Sequence, residues 1–303
     1  MSTDLHHTVL LHEAVDALAL AKSSRGHDIV VDATGGMGGH SMRILETLGE
    51  KGTLIIIDKD PVSLEKIQSR VGITHTNVRY VCDDFRNIAE IVRKNGFTEV
   101  TAILADLGWN SDQFQNGGKG FSFNVNEPLL MTYGDPEANL FTARDIVNEW
   151  KEETIADVLY GYADERFARR IARVICEKRK KEAIETTDDL VAAVLEAVPK
   201  KMHHTRIHPA TKTFQALRIA VNGELEALPI FMEDSLALLK KHGRLAIISF
   251  HSIEDRMVKN YFREKATTDE AVLITKKPLV PSEEEVQKNP RARSAKLRIL
   301  EKI

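Results

Sequence analysis

Four short apolar runs, each closed by an acid, set the strongest constraint on how this chain can fold. They read DIVVDATGG from residue 28, TLIIIDKD from 53, VRYVCDDF from 78 and VTAILADLGW from 100, and they lead into Asp32, Asp58, Asp84 and Asp106. Between them lie stretches with helical spacing, HSMRILETLGEKG, DPVSLEKIQSRV and FRNIAEIVRKNG. Apolar runs that alternate with amphipathic helices are the pattern of βαβ units, in which a parallel sheet is covered on both faces. A chain of 303 residues with 43% hydrophobic content can bury such a core. The same texture returns late. There ELEALPIFMEDSLALLKKHG reads as a helix, GRLAIISFHS as a buried strand, and LITKKPLV and AKLRILEKI as segments that close the sheet.

Between about 111 and 209 no comparable run occurs. That section opens with a polar, Gly-rich stretch, NSDQFQNGGKGFSFNVNEP, and continues as helices such as TARDIVNEWKEETIADVLYGY and ERFARRIARVICEKRKK. The expected organisation is an α/β core in two parts, 1–110 and 210–303, interrupted by a helical insertion, 111–209, for substrate recognition.

In an open parallel sheet, ligands bind beyond the carboxyl ends of the strands, where all four acids would sit. The first strand runs into the bare loop VVDATGGMGGHS, residues 30–41. Gly36-Met37-Gly38 begins the dinucleotide pattern G-x-G-x-x-G, but Ser41 stands where the third glycine belongs, and no GK[ST] follows for a phosphate loop. An acid directly before the glycines would repel a pyrophosphate and attract a cation. S-adenosylmethionine carries an ammonium and a sulfonium. Asp58, about twenty residues beyond the glycines, is placed to accept from both ribose hydroxyls, and Asp84 and Phe85 are placed to bond and pack on adenine. Any one of these acids could simply cap a helix or turn; four at successive strand ends favour a methyltransferase site.

Longer strings carry a more specific resemblance: HHTVLLHEAV, DATGGMGGHS, the DKD at 58–60, DLGWNSDQ, KGFSF, ERFARRIA, HPATKTFQALRIAVNGEL, GRLAIISFHSIEDR and NPRARSAKLR. On these residues the chain resembles, through nearly its whole length, the bacterial 16S rRNA cytosine-N4 methyltransferase family that modifies a decoding-centre cytosine. The resemblance implies a Rossmann-like class I S-adenosylmethionine methyltransferase core with an inserted helical domain. It implies cofactor contacts at Gly38, Gly39, His40, Asp58, Phe85, Asp106 and Gln113. The implied partner is 16S rRNA in the small ribosomal subunit, with no membrane and with a homodimer left open.

The exocyclic amine of cytosine is a poor nucleophile because its lone pair is delocalised into the ring, so an acceptor must bond its N–H and draw the nitrogen toward tetrahedral geometry. Asp106 is the candidate catalytic residue, at the point where the family's DLG segment replaces the D-P-P-aromatic motif of other amino-methyltransferases. Methyl transfer needs positioning and a field, and no metal. Whether Asp106 contacts the amine, the cofactor or both in turn stays open at this level.

Candidate RNA contacts come from Arg166, Arg169, Arg170 and Arg173, whose i, i+3, i+4, i+7 spacing lines one helix face, followed by Lys178, Arg179, Lys180 and Lys181. A solvated charged face is the plain alternative. KNPRARSAKLR is a second basic stretch that belongs in large part to the closing strand. His203, His204 and His208 lack a nearby acid to complete a ligand set, and Pro209 interrupts the helix that would align them. His251, Ser252 and Asp255 are too close in sequence for a hydrolase relay, and no G-x-S-x-G is present. Cys82 and Cys176 suggest neither a disulfide framework nor a metal site. The net charge of -3 argues mildly against an all-basic surface. MSTDLHHTVLLHEAV has no basic n-region before an apolar stretch, and no segment approaches the roughly 18 apolar residues of a membrane span, which predicts a cytoplasmic protein.

Some positions depart from the family. Pro128-Leu129-Leu130-Met131-Thr132 stands where the family usually has Pro-Leu-Asp-Met-Arg, so a carboxylate and a guanidinium are lost together. Lys119 and Lys212 stand where it generally has Arg, and Lys212 is a candidate substrate contact. Trp109 replaces a Val, at the offset from Asp106 where D-P-P-aromatic enzymes place the ring that stacks on the target base. Trp109 is therefore a second candidate catalytic residue, with packing as the alternative. The rival functions are a related RNA methyltransferase with a shifted target, a non-catalytic RNA-binding protein that keeps the fold, and, more distantly, a nicotinamide oxidoreductase.

Overall fold

The four apolar runs form β1 (Ile29–Asp32), β2 (Thr53–Asp58), β3 (Val78–Cys82) and β4 (Val100–Asp106), and GRLAIIS lies in β5 (Leu239–Ser249). β6 (Ala271–Leu273) and β7 (Lys296–Lys302) complete a seven-stranded sheet of order β3-β2-β1-β4-β5-β7-β6. The first five strands pair in parallel, and β7 runs antiparallel between β5 and β6. This is the Rossmann-like α/β arrangement expected, seen in a computed structural model that describes residues 8–20, 27–49, 51–72, 77–108, 118–133, 136–203, 205 and 207–303. Of LITKKPLV only Leu273 belongs to a strand; the rest touches β7 through Ile274 and a lone bridge at Leu279. Pro278, which has no N–H, stands just before that bridge.

Contacts divide the chain into two units, residues 1–109 with 226–303, and 110–225. In the first, α1 (Leu11–Ala17), α2 (Gly39–Thr47) and α3 (Pro61–Val71) cover one face of the sheet, and α4 (Ile88–Lys94) covers the other. Strand side chains alternate between the two cores: Val30, Leu54, Ile56 and Leu104 pack on the first side, Val31, Ile55, Ile57 and Ile103 on the second. Both sets are buried, which is why the strands read as unbroken apolar runs. Asp60 accepts the Val62 amide and Pro61 stands at the first helical position, so α3 starts directly after β2.

The second unit contains α5 (Ala143–Glu149), α6 (Glu152–Ala163), α7 (Ala168–Arg179), α8 (Thr187–Ala197) and α9 (Thr211–Asn222) around its own core of Ile146, Ile155, Leu159, Ile171, Leu190 and Leu217, among others. Reciprocal capping boxes fix two helix starts, Thr142 with Asp145 and Thr186 with Asp189. The sequence expectation set the later boundary at 209, and α9, just beyond that point, packs against α6 within this unit. The chain continues as α10 (Glu224–Leu238), which runs into β5, then α11 (Ser252–Thr267) and α12 (Glu283–Lys288). α10 and α11 lie on the same side of the sheet as α4. Among the described residues no helix is long and apolar enough to cross a membrane.

Candidate active site

The carboxyl ends of β1, β2 and β4 bring Asp32, Asp58 and Asp106 to one rim of the sheet. The loop after β1 turns through Gly38, whose φ of 81° lies where a side chain is disfavoured. A Cβ at the next residue, Gly39, would overlap the Thr8 side chain. The loop is therefore bare for two reasons: its own turn, and the chain segment laid against it. That segment also supplies the Val9 carbonyl, 3.1 Å from Nε2 of the buried His40. The other ring nitrogen of His40 lies 3.7 Å from Oδ2 of Asp106.

The three acids are held differently. Asp58 accepts the amides of Gly36 and Asp60, at 2.6 and 2.8 Å, and burial holds its carboxyl above the usual range. Asp32 is 1% exposed, and its partners are the Ser41 hydroxyl at 2.5 Å and the Thr34 amide at 3.2 Å. It stands behind the crevice rather than open to a ligand, a correction to the expectation that all four acids would meet one. Burial pushes its pKa up to about 7, with the charge of Asp58 adding to the effect. Ser41, the residue that breaks the dinucleotide pattern, is thus the hydroxyl donor that a buried acid requires. Thr34 also uses its own hydroxyl to accept the Asp106 amide at 2.6 Å.

Asp106 carries the largest unmet demand. Its side chain is 24% exposed, but Oδ1 is buried without a hydrogen-bond partner. Burial raises its pKa well above the carboxylate range, and the charges of Asp32 and Glu254 raise it further. Glu254, at the start of α11, was not singled out from the sequence; its carboxylate accepts the Phe250 and His251 amides and is 3% exposed. Carboxylates that oppose one another's ionisation in this way favour a positively charged ligand.

Other expected residues fall as follows. Phe85 is partly buried with its ring edge-on to Phe231 at 5.1 Å. Asp84 is not free for adenine: it caps the turn at Phe85–Asn87 and pairs with Lys59 at 2.7 Å and Arg86 at 2.6 Å. Trp109, Gln113 and His204 lie outside the described residues. Arg169, Arg170 and Arg173 are exposed on α7, whereas Arg166 lies in the turn before it. Arg173 stands 3.7 Å from Glu152. The Lys212 ammonium donates to the Asp164 carbonyl at 2.8 Å, at the C-terminal end of α6, where a cation complements the helix end. Thr132 is fully buried, with its hydroxyl unpartnered, so the arginine position of the family becomes an interior one here. His203 bonds the Leu195 carbonyl, and His208 accepts the Ala210 amide and stacks on Phe123. Asp255 is engaged by Lys296 and Arg298, while His251 faces Glu254.

The model of the MraW methylase family matches residues 3–303. Ribosomal RNA small subunit methyltransferase H of Brevibacillus brevis is 43% identical, over 98% of this chain and 98% of its own length. The protein of the same name from Acetivibrio thermocellus is 42% identical over 98% and 99%, and that from Persephonella marina 42% over 99% and 100%. A solved rRNA methylase from Streptococcus thermophilus superposes over 98% of each chain at 16% identity with a TM-score of 0.44, too distant a likeness to add to the fold.

Proposed function

The chain belongs to the MraW methylase family, and on that premise we propose that it is an S-adenosylmethionine-dependent methyltransferase acting on N4 of a cytosine in the decoding centre of 16S rRNA. The observation that carries this reading is the unpartnered buried oxygen of Asp106 beside other buried acids at the rim of a parallel sheet. Such a site fits a ligand with two positive centres. Gly38, Gly39 and His40 line its approach, Asp58 accepts from the ribose, Phe85 packs on the base, and Gln113 completes the set. S-adenosylmethionine supplies an electrophilic methyl carbon when bound there.

The residues of this chain do the rest. Asp106 in its ionised form accepts an N–H of the cytosine amine and holds the nitrogen for in-line attack, and the excess proton leaves after transfer. His40, fixed by the Val9 carbonyl, limits how Asp106 can turn. Arg166, Arg169, Arg170 and Arg173 follow the RNA backbone, and Trp109 stacks on the target base. Lys212, bonded to the end of α6, positions its helix and contributes charge at the same time. The enzyme works in the cytoplasm on small ribosomal subunits, as a monomer or a homodimer, which light scattering distinguishes.

The test is nucleoside mass spectrometry of 16S rRNA from cells with and without the gene, complemented by wild type or by Asp106→Asn. N4-methylcytidine should disappear with the gene, return with wild type and stay absent with the variant. A methylated base elsewhere in the rRNA would favour the shifted-target reading, to which the buried Thr132 lends its weight. No change in any methylated nucleoside would overturn the enzymatic reading and leave an RNA-binding protein.

A further inference from the structure

A second basic feature lies away from the acid-lined rim, at the β6–β7 edge of the sheet. Lys259 and Arg263 from α11, Thr275 and Lys276 from the turn after β6, and Arg298 from β7 surround a small pocket over the ring of Phe262. Lys259 and Arg263 are one helical turn apart, a like-charge spacing that by itself disfavours the helix. Neither they nor Lys276 have a side-chain hydrogen bond or ion pair among the described residues. Arg298 is held in place from behind: its Nε donates to Asp255 at 2.7 Å, both side chains are 12% exposed, and Lys296 donates to the same carboxylate at 2.8 Å. The forked end of Arg298 has no further partner among the described residues. Asp255 already serves two cations, so it does not neutralise the pocket. The Thr275 hydroxyl is buried there without a partner.

An almost buried guanidinium with its fork free, flexible ammonium groups and an orphaned hydroxyl donor form a donor set suited to a phosphate. Solvated surface charge would account for Lys259 and Lys276 but not for the buried hydroxyl or for the way Arg298 is braced. On the reading that the substrate is rRNA, we propose that the cationic rim of this pocket, whose interior has room for about one water molecule, holds a backbone phosphodiester of the RNA. Its place in the sheet suits that role. Asp106 pairs with Ile248 of β5, which pairs with Leu297 of β7, next to Arg298. Two strand spacings, about 10 Å, separate the Asp106 row from β7, and the pocket extends one further strand to β6, so its near edge at Arg298 lies within the span of an RNA strand whose target base is over Asp106.

The variant Lys259→Gln/Arg263→Gln removes two donors and leaves Arg298 with Asp255. Binding of the full chain to small ribosomal subunits and to a 16S rRNA fragment, measured from roughly 50 to 200 mM salt, should weaken at least about fivefold at the low end. The slope of log affinity against log salt should become shallower by about 1. Melting temperature should not fall, and S-adenosylmethionine affinity should be unchanged. Should the helix variant melt early, Lys276→Gln, on an exposed turn, is expected to shift RNA affinity and slope in the same direction. Unchanged RNA affinity and slope in both variants would overturn the proposal. Calorimetry with inorganic phosphate separates the sources: loss of phosphate binding in the variant with RNA affinity intact would assign the pocket to a free anion and also overturn it. Failure of the wild type to bind rRNA would show before any substitution, and would reject the functional reading together with the pocket.

Discussion

One oxygen of Asp58 accepts the Gly36 amide at 2.6 Å, so the end of β2 holds the loop that follows β1. The other accepts the Asp60 amide at 2.8 Å. Asp58→Ala leaves two amides without their acceptor and, on the proposed function, removes the acceptor of the cofactor's ribose, at about 1 to 3 kcal/mol for each buried group. S-adenosylmethionine affinity should fall at least about tenfold by calorimetry, with Asp58→Asn, which keeps one acceptor, falling less. Unchanged affinity in the alanine variant would remove this residue from the cofactor site.

Asp32 gives the ligand-free protein a pH-dependent weakness. Burial raises its pKa from 3.8 to about 7, so folding favours the neutral acid. The stability it lends is fully present below pH 3.8 and is lost as pH rises through 7, on the order of 4 kcal/mol across that window. Asp32→Asn removes the titration and can still accept from Thr34. Denaturant melts without cofactor at pH 5 and pH 8 should show wild type losing clearly more stability than the variant. Equal losses would mean that Asp32 is already ionised at pH 5.

The arginines on α7 are exposed, and the contact of Arg173 with Glu152 at 3.7 Å is of the surface kind that adds little to stability. Replacing Arg169 and Arg173 with Gln should therefore leave the melting temperature within about a degree or two. Affinity for small ribosomal subunits should drop and its salt dependence should flatten, while cofactor binding stays constant. An unchanged salt slope would make this face a solvated one only.

Trp109 follows Asp106 by three positions. Stacking on an extracted base is worth about 1 to 3 kcal/mol, so Trp109→Val should slow methylation of 30S particles by roughly five- to a hundredfold and Trp109→Phe should retain most of the rate. Cofactor affinity should not change in either. A rate in the valine variant that falls only in step with the amount of folded protein would assign Trp109 to packing.

The strands and their acid ends were legible in the sequence because burial on both faces writes an unbroken apolar run, and a run of four to seven residues is a local pattern. The bare loop, the helix starts at Pro61 and Thr142, and the basic face of α7 are local in the same sense. LITKKPLV shows the limit of that reading, since an apolar stretch with a proline near its end pairs at only a few points. What each acid does depended on burial and on partners that a local pattern does not show. Asp32 became an interior acid bonded to Ser41; Asp84 was taken by Lys59 and Arg86; Asp106 acquired its raised pKa first from burial and then from the charges of Asp32 and Glu254. Lys212 found the end of another helix, and Arg298 found Asp255. Secondary structure follows from neighbours within a turn or a strand, but the charge state and freedom of a side chain follow from burial and from groups on other elements, some of them tens to hundreds of residues away, and only the folded chain brings those together.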